Sequence, residues 1–167
     1  MPTFIKTEIK PNNHIDLLLK EKIPVYSFPV SVLLKMEKEI LGIYASIHPL
    51  SYYRKQLTVQ LLPGQNLIRS HHIAQLKNGQ STLIAGLLIQ ARRQYTKHRE
   101  VMAFLLLEDE TDLFEAIAFP EIFRQYFSLL TKDALLLIRG IVNNQNGDIK
   151  IVIQEIKDIY SYFKKKM

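Results

Sequence analysis

From residue 80 onward the sequence falls into five apolar, β-branched-rich runs, 82–95, 101–107, 113–119, 134–143 and 149–156, each bounded by turn residues. One segment breaks this pattern. In 120–130, Pro120 suits the first turn of a helix, and Ile122, Phe123, Tyr126, Leu129 and Leu130 fall on a single helical face. The order is therefore strand, strand, strand, helix, strand, strand.

That order predicts a mainly β fold: a five-stranded OB-fold Greek-key barrel with a helix between strands 3 and 4. A generic five-strand α+β sheet is the alternative topology. The first run is long, and Gly86 in its middle is expected to mark the bend of a strand that serves both sides of a small barrel. Ahead of the barrel, Leu33, Met36, Ile40, Ile43 and Ile47 recur at helical spacing, predicting an N-terminal helical segment that starts near Ser27 or Ser31 and stops before Pro49. Residues 51–80 read as a polar connection, with room for some short helix inside it, and turn signals at Pro63-Gly64 and Asn78-Gly79. The expected layout is an arm at 1–26, a helix and connection at 27–80, an OB-fold domain at 81–160 and a basic tail at 161–167.

Composition narrows the function. Twenty-two Lys and Arg against sixteen Asp and Glu give a net charge of +6, which favours polyanionic partners. The absence of cysteine excludes disulfides, a thiol nucleophile and cysteine-held zinc. No run approaches the ~18 apolar residues of a membrane span, and the first ten residues lack a signal-peptide core. A cytoplasmic protein without a membrane partner is expected.

Within an OB pattern, the loop after the first strand and the loop between the last two flank the groove along which single strands run. The first loop and its approach carry Arg92, Arg93, Tyr95, Lys97 and Arg99, cations for phosphates and a ring for a base. Asn143 and Asn144 approach the second loop, where Asn146-Gly147 is a hairpin turn signal. On the strands, Phe104 is the candidate stacking ring, while Phe119 is assigned to the core. Glu108, Asp109, Glu110 and Asp112 do not have the spacing of a calcium loop and read as a turn. Adjacent His71 and His72 have no third ligand at zinc spacing, and His48 before Pro49 reads as a cap at the end of the preceding helix. Neither a cofactor, a metal nor a catalytic set is expected.

Several segments resemble, in order, the C-terminal OB-fold region of the bacterial DNA polymerase III alpha subunit. They are Glu37-Lys38-Glu39-Ile40-Leu41-Gly42-Ile43-Tyr44, His48-Pro49-Leu50, Ala85-Gly86-Leu87, Arg92-Arg93, Thr96-Lys97, Met102-Ala103-Phe104, Leu107-Glu108-Asp109-Glu110-Thr111, Phe119-Pro120, Arg139-Gly140 and Asn146-Gly147. Three family glycines are replaced, by Ile47, Arg99 and Asp112, so both hairpins are expected to be longer or reshaped. Gln56-Leu57-Thr58-Val59 begins like a clamp-binding peptide but lacks its closing aromatic residue. The resemblance implies a non-enzymatic module, separated from the polymerase's catalytic regions, that holds single-stranded DNA, with RNA as the alternative strand, in replication or repair. A polymerase or replication protein is the implied protein partner. The competing reading is a protein-docking module with a vestigial groove.

Overall fold

The computed structural model describes residues 30–61, 64–145 and 147–164. The expected arm at 1–26, Pro63, Asn146 and the end of the basic tail lie outside the described residues. The chain divides into two compact units, one up to Ala45 and one from Ser46.

In the first unit, helix α1 spans Val30–Leu41, six residues short of the periodic pattern that ran to Ile47. Gly42 stops it. With φ at 74°, Gly42 adopts the left-handed conformation that closes helices, and its N–H still donates to the Lys38 carbonyl at 3.1 Å. Periodicity alone does not register such a stop.

The second unit begins with a helix where a connection was expected. Helix α2, Pro49–Gln60, buries Leu50, Tyr53 and Leu57, and His48 caps it by accepting from the Leu50 N–H at Nδ1, 3.2 Å away. Pro49 at its first position loses no helical hydrogen bond. A two-residue strand, β1 (Leu67–Ile68), and a 3-10 helix at Ser70–Gln75 lead into the barrel.

The barrel strands are β2 (Ser81–Tyr95), β3 (Val101–Glu108), β4 (Leu113–Ala118), β5 (Leu135–Gln145) and β6 (Asp148–Asp158). Helix α3, Pro120–Tyr126, lies between β4 and β5, and helix α4, Ile159–Lys164, follows β6 and takes up the first part of the expected tail. Hydrogen bonding runs β2-β3-β4-β6-β5 and returns to β2, so the five strands close. This closure rules out the open α+β sheet. Residues 81–87 of β2 pair with β5, and 87–95 with β3.

The irregularity in β2 sits between Leu88 and Gln90, leaving Ile89 as the extra residue, rather than at Gly86. Gly86 answers a different need. A Cβ there would come within 2.8 Å of the Phe114 ring, so the glycine lets that ring fill the barrel. Ile84, Leu88, Leu105, Leu107, Leu136, Ile138 and Ile151 share this core, each side chain contributing about 1.5–3 kcal/mol by leaving water. Ile122, Phe123 and Tyr126 of α3 pack against the same cluster. Phe119, expected in the core, is 46% exposed: Ala116 and Ala118 occupy the inward positions of β4, and Phe119 turns outward as the chain enters α3.

Candidate nucleic-acid interface

Strand alternation assigns two faces to β3. Ala103, Leu105 and Leu107 are buried inside the barrel, whereas Phe104 and Leu106 are half-buried on the outside. Register then extends the outer face sideways. Arg92 lies opposite Phe104, Phe104 opposite Ile117, and Ile117 opposite Val152; the next row runs Leu106, Glu115, Lys150, Asn143. The Arg92 guanidinium carbon is 5.7 Å from the Phe104 ring centre and the Lys150 Nζ is 5.8 Å from it, so the ring sits between two cations.

Lys150 did not emerge from the sequence as a site residue. A single lysine between Ile149 and Ile151 gives no signal until the register puts it beside Phe104. Its ammonium group also pairs with Glu115 at 3.0 Å and lies 3.9 Å from Asp148. Leu106, Leu113, Phe114, Ile149 and these three charged residues line a shallow groove over the β4–β6 pairing. Asn143 borders it, its Oδ1 accepting from the Gln145 N–H at 3.1 Å.

The basic hairpin between β2 and β3 is closed by two backbone hydrogen bonds. Thr96 N–H donates to the Glu100 carbonyl at 2.8 Å, and Arg99 N–H to the Thr96 carbonyl at 2.9 Å. Arg99 itself takes φ 60°, so the arginine occupies the left-handed conformation that glycine would have entered without strain. One strained residue is enough to close this turn.

This hairpin is two-sided, which divides the nominated cluster. Arg92 shares the Phe104 face. Arg93 and Tyr95 have the opposite parity; Arg93 lies over the Phe123 ring of α3 at 5.6 Å, and Tyr95 is 73% exposed. Lys97 and Arg99 are exposed at the tip. Asn144 points away from Asn143 by alternation, with its N–H bonded to Asn78 Oδ1 at 2.9 Å. Thus Arg92, Phe104 and Asn143 converge with Lys150, while Arg93, Tyr95 and Asn144 stand on the other side.

The acidic turn between β3 and β4 has a different character. Asp109 is 2% exposed, and its carboxylate accepts from Ser70 N–H (2.7 Å), Ser70 Oγ (2.6 Å), Thr111 N–H (2.8 Å), Thr111 Oγ1 (2.6 Å) and Asp112 N–H (3.1 Å). Burial pushes its pKa up, but the bonds from Ser70 and Thr111 outweigh it and hold the carboxyl at about 2. Neighbouring Glu110 receives Arg54 bidentately, Nε to Oε1 at 2.6 Å and Nη2 to Oε2 at 2.5 Å. The arginine is itself buried and lies 3.6 Å from Asp109. Burial raises the Glu110 pKa while the bond and charge of Arg54 lower it further, so the net shift is downward. These oxygens fasten α2 and the 3-10 helix to the barrel. Sequence reasoning missed this latch because its partners lie 39 and 56 residues apart.

Closure of five strands, with α3 packed against the barrel between β4 and β5, defines an OB-fold domain. Residues 82–159 match the tRNA_anti-codon family, described as an OB-fold nucleic acid binding domain. More specifically, the chain resembles the OB-fold region of the DNA polymerase III alpha subunit. It is 40% identical over 129 residues to that subunit from Bacillus subtilis, covering 75% of this chain, and 32% identical over 139 residues to the Vibrio cholerae subunit, covering 82%. The chain spans only 11% and 12% of those two relatives. Among solved structures, a domain of replication protein A from Methanococcus maripaludis aligns with a TM-score of 0.43 and 19% identity, covering 52% of this chain and 91% of that one.

Proposed function

We propose that this chain binds single-stranded DNA across the outer face of the barrel and has no catalytic site of its own. One observation carries the reading: Arg92, Phe104, Lys150 and Asn143 meet on an exposed face that continues into the basic hairpin tip. A base stacked on Phe104 contributes about 1–3 kcal/mol, and it needs a base face that a duplex hides. Arg92, Lys97 and Arg99 take the phosphates, and Asn143 offers polar groups to bases or backbone. Tyr95 and Arg93, on the far side of the hairpin, engage a strand that wraps around its tip; Asn144 is the most peripheral of the set.

The acidic turn supports the non-catalytic part. Asp109 and Glu110 spend their oxygens on Ser70, Thr111 and Arg54, which leaves no paired, open carboxylates for two-metal chemistry. Similarity to the alpha subunit supports a role in DNA replication or repair, beside a polymerase or another replication protein in the cytoplasm. None of the described helices is long and apolar enough to cross a membrane.

Titration of the purified chain with fluorescent single- and double-stranded oligonucleotides of DNA and RNA tests the reading. Single-stranded DNA is expected to bind more tightly than duplex. Duplex binding of equal strength, or no binding to any of them at modest salt, overturns it in favour of protein docking.

A further inference from the structure

The proposed face is not uniformly basic. At the hairpin end stand Arg92, Lys97 and Arg99; where β4 pairs with β6, Lys150 is flanked by Glu115 and Asp148. Lys150 is well placed to serve a strand. Its side chain is 27% exposed, its ammonium nitrogen lies 5.8 Å from the Phe104 ring centre, and it lines the shallow groove with Leu106, Leu113 and Ile149. Yet in the free protein its charge is already spent on a carboxylate 3.0 Å away.

We propose that Lys150 is a phosphate-contacting residue and that Glu115 is its built-in competitor, an internal anion that the strand must displace. The proposal rests on the single-strand reading above and adds a control on its affinity. Glu115 belongs to the same outward row of the sheet as Lys150, one strand away, so the two meet by register. Its own side chain is 52% exposed, which leaves it able to swing into water once phosphate takes the ammonium group. Asp148 lies farther off at 3.9 Å and is 83% exposed, so it is the weaker competitor.

The charge balance gives the proposal a signature. When phosphate takes Lys150, the strand sheds condensed counterions but Glu115 regains a free charge and recruits a cation, so the net ion release is blunted. Replacing Glu115 by a neutral isostere removes that recapture. Exposed pairs of this kind are worth little, so the gain is modest: about threefold in affinity for Glu115→Gln at 0.1 M salt. The slope of log affinity against log salt steepens by up to about 0.7.

The test is a double-mutant cycle with a fluorescent oligodeoxynucleotide, in wild type, Glu115→Gln, Lys150→Ala and the double variant, each checked for an unchanged melting temperature. The expected result is a gain from Glu115→Gln that disappears when Lys150 is alanine. A gain of equal size in the Lys150→Ala background assigns the effect to general repulsion by Glu115 and overturns the competition. No gain, with wild-type binding still weakened by Arg92→Ala, overturns this inference while leaving the single-strand reading intact. If no variant binds at all, both fall. Should Lys150→Ala not fold, Lys150→Gln, which keeps the stem over Phe104, replaces it in the cycle.

Discussion

The two hairpins that flank β3 carry opposite charge and use it in opposite ways. At the β3–β4 turn, Asp109 is buried and accepts five hydrogen bonds, and Glu110 is clasped by a buried arginine. At the β2–β3 turn, Lys97 and Arg99 are exposed and make no ion pair with another described residue. Charge taken out of water has to be matched within the protein, so the acidic turn is a structural joint. Charge left in water stays available to a partner.

The largest effect that can break this comparison is on stability. Asp109→Ala leaves the donors of Ser70 and Thr111 without their acceptor, and a loss of about 3 kcal/mol is expected in chemical denaturation, with single-strand binding retained by the folded fraction. A loss below about 1 kcal/mol would mean that the turn does not hold the fold together. The same carboxylate sets an acid limit. Its folded pKa, about 2, lies below the unfolded value near 3.8, so its contribution is complete above about pH 4 and fades as pH falls toward 2. That fade amounts to about 2 kcal/mol, and it should be missing from Asp109→Ala.

Next in size is the stacking ring. Phe104→Ala is expected to lower single-strand affinity about tenfold without changing the salt slope, since stacking releases no condensed ions. Isothermal titration at two salt concentrations distinguishes this from a lost cation. A change in slope would place Phe104 outside the contact.

A smaller effect sets stability against function in one residue. Arg99 holds φ 60°, so Arg99→Gly should stabilise the fold by up to about 1 kcal/mol while removing one phosphate contact. Greater stability with unchanged binding would make the arginine incidental.

The smallest effect concerns the cap of α2. Burial lowers the His48 pKa below 6.5 against the opposing pull of Glu108, Glu110 and Asp109, so the folded state prefers the neutral ring. The unfolded chain takes up the proton first, and stability therefore declines as pH drops from 6.5 toward the folded value. His48→Asn keeps a capping acceptor for the Leu50 N–H and removes that decline. Denaturation midpoints measured at pH 7 and 5.5 check it.

How much of this was legible in the sequence follows from the range of the forces involved. The five barrel strands are local events, written in β-branched runs and their bounding turns, and they were found to within about two residues; α3 starts where expected at Pro120 but ends at Tyr126, and a 3-10 turn at Phe127–Leu129 takes up the rest of the helical pattern. Helix α2 was allowed for only as some short helix inside a polar connection, and neither its start at Pro49 nor its twelve residues were placed, because its buried face is only Leu50, Tyr53 and Leu57, separated by Arg, Lys and Gln. Helix α1 was drawn too long because periodicity outran Gly42. At the site, Arg92 and Phe104 were visible as a cation and a ring on neighbouring strands. Lys150 and the Arg54–Glu110 pair were not, since both depend on which strands and helices come to lie side by side.

If the exposed hairpin charge meets phosphate, binding must depend on salt through Lys97 and Arg99. Affinity for a single-stranded oligodeoxynucleotide would be measured from low to moderate salt for wild type, Lys97→Ala and Arg99→Ala. Each substitution is expected to weaken binding and to flatten the slope of log affinity against log salt by about 0.7. Slopes that match wild type in both variants would contradict it.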